Sequence, residues 1–104
     1  MKAFVEMVEQ YKHQLLQMRA SCTEQIAKLP RGSLTIKRMG TREYWYLKYR
    51  EGKKVVSKYI GKVSDAIDEL KAQIKKRQDL EKDLKKLDKE LDMVDRFKDM
   101  SANA

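Results

Sequence analysis

Apolar side chains set a three–four rhythm at the start of the chain. Phe4, Val8, Tyr11, Leu15, Met18, Cys22, Ile26 and Leu29 are spaced 4, 3, 4, 3, 4, 4 and 3 residues apart, the repeat of a single helix face. No glycine or proline interrupts residues 2–29, so this segment reads as one helix, roughly 40 Å long at 1.5 Å per residue. Pro30 and Gly32 end it, because proline disfavours helical geometry in the residue before it and glycine permits a reversal. A stripe this narrow needs a partner helix.

From Ser33 the period changes to two. Residues 34–39, 44–50 and 53–60 are rich in Tyr, Trp, Val, Ile and Thr, as strands are. Gly40-Thr41-Arg42 separates the first two runs, and Glu51-Gly52 forms a tight hairpin loop between the last two. The expectation for residues 33–60 is a three-stranded antiparallel meander.

A second helix is expected over 64–98. Ser64 is its N-cap, with Asp65, Asp68 and Glu69 where the helix dipole favours negative charge. Ile67, Leu70, Ile74, Leu80, Leu84, Leu87, Leu91 and Val94 form its stripe, broken by the six-residue step from Ile74 to Leu80. Residues 99–104 are expected to fray. The fold class is therefore α+β in a single domain: a long N-terminal helix, a three-stranded antiparallel β-meander and a long C-terminal helix. The helices pair in coiled-coil fashion, as an antiparallel hairpin within one chain or between chains. With so little else to cover both stripes, a homodimer is expected.

If the Glu51-Gly52 loop pairs Arg50 with Lys53, then Leu47 lies opposite Val56, Trp45 opposite Lys58, Tyr49 opposite Lys54 and Glu43 opposite Ile60. One face then carries Trp45, Leu47, Tyr49, Val56 and Ile60, an apolar set able to pack on a helix. The other carries Tyr44, Tyr46, Lys48, Arg50, Lys53, Val55, Ser57 and Tyr59.

Charge gives that second face its interest. Twenty-four basic against sixteen acidic side chains leave a net +8 on 104 residues. Residues 31–62 hold ten basic side chains and only Glu43 and Glu51, net +8, while residues 1–30 and 63–104 come to +1 and −1. The whole excess sits in these 32 residues. Lys and Arg neutralise phosphates, and tyrosine offers a hydroxyl to phosphate or a ring for stacking, so a basic, tyrosine-bearing sheet suits nucleic acid. A β-ribbon also fits a B-DNA major groove. The candidate contact set is Lys37, Arg38, Arg42, Tyr44, Tyr46, Lys48, Arg50, Lys53, Lys54 and Lys58.

Other chemistry is sparse. One cysteine, Cys22, excludes an internal disulfide and suggests a reducing, cytoplasmic setting. Cys22 lies on the helical stripe as a small buried hydrophobe. His13, the only histidine, lies off it. The sequence holds no cluster of metal ligands, no glycine-rich phosphate loop and no nucleophile motif, so neither a metal, a cofactor nor enzymatic activity is expected. Apolar runs are far shorter than the roughly 20 residues of a membrane span, and the N-terminal residues lack a secretory core, so no membrane association is expected.

The stretches Gly32-Ser-Leu-Thr-Ile-Lys37, Tyr44-Trp-Tyr-Leu-Lys-Tyr-Arg50-Glu-Gly-Lys-Lys54 and Ser57-Lys-Tyr-Ile-Gly-Lys62 resemble a group of small uncharacterised bacterial, archaeal and phage proteins. In that group such a hairpin precedes a charged helix. The resemblance spans residues 31–95 and brings no activity with it. In topology, three strands followed by a helix are similar to the arm-type DNA-binding domains of phage integrases and to the AP2 domain, a likeness that implies a sheet reading the major groove. The leading expectation is a small nucleic-acid-binding protein of phage or mobile-element type, with DNA favoured over RNA. The alternative is an inhibitor that occupies a nucleic-acid-handling enzyme, such as a CRISPR nuclease. A third is a coiled-coil interaction scaffold.

Overall fold

The computed structural model describes residues 2–61 and 65–102. Helix α1 (Lys2–Ala27) is followed by strands β1 (Ser33–Met39), β2 (Arg42–Glu51) and β3 (Lys54–Gly61) and by helix α2 (Asp65–Ala102), the expected α+β order. Ser64, the expected N-cap of α2, lies outside the described residues. Helix α1 ends two residues early, where the Lys28 N–H donates to the Gln25 carbonyl at 3.2 Å and tightens the last turn. Helix α2 continues past Lys98 to Ala102, through residues expected to fray. No glycine or proline follows Gly61, so nothing in the sequence stops it.

The chain forms two compact units, one of Met1–Lys28 with Asp79–Ala104 and the other of Leu29–Gln78. In the first, the two helices pair antiparallel within the chain. Leu15, Cys22 and Leu87 are its buried core, and Ile26, Leu80, Leu84, Leu91 and Val94 pack around them. The direction is set by contacts along the seam. Phe4 meets Phe97 edge to face at 5.6 Å, Tyr11 donates to a Glu90 carboxylate oxygen at 3.0 Å, and the Cys22 thiol donates to the Leu80 carbonyl at 3.1 Å. Lys12–Asp95 at 2.5 Å, Arg19–Asp88 at 2.6 Å and Glu9–Lys98 are ion pairs between the helices. The two stripes thus cover each other, and a homodimer would need another surface.

In the second unit the sheet order is β1-β2-β3, antiparallel throughout. The β1–β2 pairing runs from Ser33 opposite Lys48 to Met39 opposite Arg42, leaving Gly40-Thr41 as a two-residue loop with Gly40 at φ +66°. Between β2 and β3 the closing pair is Glu51 with Lys54, so the loop is Gly52-Lys53 and not Glu51-Gly52. The left-handed φ of +62° at Gly52 suits the first position of a two-residue hairpin turn, and this selects the register. Leu47 therefore faces Lys58 and Tyr49 faces Val56, correcting the expected partners. Sliding a two-residue loop by one residue moves each partner by two, so the side chains keep their faces. A bulge between Trp45 and Tyr46 then sets Trp45 opposite Gly61 and replaces the expected pairs of Trp45 with Lys58 and of Glu43 with Ile60.

The apolar face packs as expected. Trp45 and Leu47 are buried from the sheet, and Ile67 and Ile74 from residues 65–78 of α2. Ile67, Lys71 and Ile74 share one helix face at spacings of four and three, and the Lys71 ammonium lies 4.1 Å from the Trp45 ring centre, a cation–π contact that marks the face laid on the sheet. The break in the stripe between Ile74 and Leu80 is where α2 passes from one core to the other. Arg77 donates to the Leu29 carbonyl at 2.6 Å. Gly32, at φ +119°, lies so close to β2 that a side-chain carbon there would sit 2.4 Å from the Lys48 carbonyl oxygen.

Candidate nucleic-acid interface

Strand alternation decides which cations share a face. On the side of the sheet away from residues 65–78 of α2, β2 projects Arg42, Tyr44, Tyr46, Lys48 and Arg50, a line roughly 27 Å long at about 3.3 Å per residue. Across from it β1 contributes Lys37 opposite Tyr44 and Thr35 opposite Tyr46. Strand β3 contributes Tyr59 opposite Tyr46, Ser57 opposite Lys48 and Val55 opposite Arg50. The two acidic side chains of the strands, Glu43 and Glu51, fall on the opposite face by the same alternation. The tyrosine face carries cations and no carboxylate.

Three tyrosines form its centre. The Tyr59 ring lies 5.4 Å from Tyr46 and 6.2 Å from Tyr44, tilted against both, which is the cross-strand aromatic contact that stabilises sheets. The Lys37 ammonium stands 5.5 Å from the Tyr46 ring centre, and the Thr35 hydroxyl donates to the Tyr46 carbonyl at 3.5 Å. Tyr59 is nonetheless half exposed, so a ring and a hydroxyl remain available between the cations. It is not among the ten candidates, yet its period-two position in residues 53–60 places it on this face.

The ten candidates do not all converge. Lys37, Arg42, Tyr44, Tyr46, Lys48 and Arg50 share the tyrosine face, and Lys53 lies in the adjoining turn. Arg38, Lys54 and Lys58 belong to the other side. Arg38 pairs with Glu43 at 3.2 Å, Lys54 faces Glu51 and Lys58 faces Leu47. Their clustering along the sequence is real, but the pleat sends them elsewhere.

Elsewhere the chemistry is quiet. Among the described residues no group of three or more His, Cys, Asp or Glu is placed to hold a metal ion, and no helix is long and apolar enough to cross a membrane. His13 is exposed beside Gln17 at 3.1 Å. Burial, and then the nearby Asp83 charge, push the Cys22 thiol above its ordinary range, away from the thiolate a nucleophile needs.

One protein-family model, described as a domain of unknown function (DUF6788), matches residues 11–72, more than half of the chain. No curated protein and no solved structure matches.

Proposed function

We propose that this chain, which belongs to that domain family of unknown function, is a small nucleic-acid-binding protein of phage or mobile-element type that grips phosphates with the tyrosine face of its sheet. The observation that carries the reading is the sorting of charge by the strand pleat. Lys37, Arg42, Lys48 and Arg50 share a face with three tyrosines, and both strand carboxylates lie on the other. A face that merely kept the sheet soluble would mix the two signs. Phosphate contacts would hold the sheet in place, with tyrosine hydroxyls and the half-exposed Tyr59 ring adding contacts among them.

DNA is the favoured ligand. A B-form major groove about 12 Å wide admits β-strands, whereas the major groove of A-form RNA is too narrow for side chains to read. The reading also sets the protein in the cytoplasm, where the lone Cys22 remains a thiol. The test is an anisotropy titration of the full chain against labelled duplex DNA, single-stranded DNA and duplex RNA at low salt. Binding that is tightest for duplex DNA supports the proposal. No measurable binding to any of the three overturns it.

A further inference from the structure

The seam of the helical unit has two unlike flanks. One is closed by ion pairs, Lys12 with Asp95 and Arg19 with Asp88. Along the other, Phe4, Tyr11 and Met18 recur every seven residues of α1, with Phe97 of α2 against Phe4. Phe4, Tyr11, Met18 and Phe97 are 42%, 44%, 56% and 47% exposed, and Met7 and Met93 beside them are each 67% exposed.

This flank is also free of charge on its α1 side. Positions 4, 7, 11, 14, 18, 21 and 25, spaced three and four apart, carry none. At the chain-wide frequency of 38% charged residues, seven solvated positions would hold two or three. Six side chains of about 200 Å² each, roughly half exposed, leave on the order of 600 Å² of apolar surface. That matches the largest patch usual on a monomer. With the flanking Gln14, Ser21 and Gln25 it approaches the ~800 Å² that each partner contributes to a standard stable interface.

The shape of the flank says what covers it. Between Met18 and Cys22 of α1 and Leu80 and Leu87 of α2 lies an open groove of about 460 Å³, which Asp83, Lys86 and Glu90 of α2 also line. Met7 stands eleven residues along α1 from Met18, roughly 16 Å at helical rise, and Met93 six residues along α2 from Leu87. A groove and projecting methionines on one face fit each other under a two-fold axis, since each copy then offers its projections to the other's groove. Charge agrees. Residues 1–28 and 79–104 hold ten basic and eleven acidic side chains, net −1, while residues 29–78 come to +9. Two helical units can therefore meet without the repulsion that two sheets would suffer.

We infer that two copies of this chain pair antiparallel through the Phe4/Tyr11/Met18 flank, making a four-helix bundle from two helical hairpins. The inference is independent of nucleic-acid binding.

Sedimentation equilibrium of the full chain across about 1 to 100 µM should show a species of twice the 12.3 kDa chain mass. Met18→Lys with Met93→Lys alters two solvent-facing positions, so helicity by circular dichroism should persist. Two lysine charges that must be desolvated where methionines packed should weaken dimerisation about a hundredfold or more. Gln14→Cys lies on this face between Met7 and Met18. On mild oxidation it should give a disulfide-linked dimer that Glu24→Cys, on the far side of α1, does not, and this arm stands even where the double lysine variant fails to fold. A parent that sediments at 12.3 kDa throughout overturns the proposal, as would a partner helix from another protein being the true occupant. So does a folded Met18→Lys/Met93→Lys variant that dimerises like the parent, or a Gln14→Cys chain that forms no linked dimer.

Discussion

Replacing Lys48 and Arg50 with alanine removes two of the four cations on the tyrosine face and touches nothing that holds the sheet together. Both side chains are exposed, so each exchange should shift stability by no more than about 0.5 kcal/mol. The effect on binding follows from counterion release. On B-DNA the slope of log K against log salt is about −0.9 for each phosphate neutralised. Lys37, Arg42, Lys48 and Arg50 together give a slope of about −3.6, and affinity falls about 150-fold between 50 and 200 mM salt. The double variant keeps two of those contacts, so its slope should be about −1.8 and its loss over the same range about 12-fold. The assay is anisotropy of a labelled duplex of about two helical turns, titrated at several salt concentrations. Lys54→Ala with Lys58→Ala is the informative control, because it removes the same charge from the other face and should leave a slope near −3.6. Equal changes in slope for the two pairs would refute the assignment of a face and leave only net charge. A parent slope near zero would refute phosphate contact altogether and favour an inhibitor that recognises protein.

Two further outcomes test the fold itself. Gly32→Ala should destabilise the sheet unit by at least about 1–3 kcal/mol, since a left-handed φ is combined with a 2.4 Å approach to the Lys48 carbonyl; an unchanged thermal melt would show that the chain does not cross β2 there. The helical unit should weaken in acid. Its Glu9 carboxyl is held below the ordinary value of 4.5, first by the Lys98 hydrogen bond and then by that ammonium's charge, so its contribution is present above pH 4.5 and fades as pH falls through the lowered value. Melting temperature measured at low salt should be level near neutrality and drop below pH 4.5, and Glu9→Gln should blunt that drop; an acid limb identical in the variant would remove Glu9 from the account.

How far the sequence could be read turned on which feature each signal encodes. A two-residue period encodes the face of a side chain and nothing else, so it puts Trp45 and Leu47 on one face but cannot choose their partners on β3. Sliding the loop from Glu51-Gly52 to Gly52-Lys53 leaves every face intact, and only the positive φ of Gly52 chooses between the two. Charge clustering fails in the opposite way. It counts Arg38, Lys54 and Lys58 with their neighbours because they are close along the chain, although the pleat turns them to the side of Glu43 and Glu51. The heptad spacing of the helices was legible but silent on pairing, since the same spacing serves two helices of one chain or of two. Phe4 against Phe97 resolves that inner seam, and in doing so transfers the question of a second copy from the stripes to their uncharged flank. The gap between Ile74 and Leu80 is of a third kind. It was visible as a fault in a single stripe, yet physically it is the join between two stripes, Ile67 and Ile74 belonging to the sheet's core and Leu80 onward to α1's. A helix with one partner has no reason to skip six residues; a helix that changes partners does.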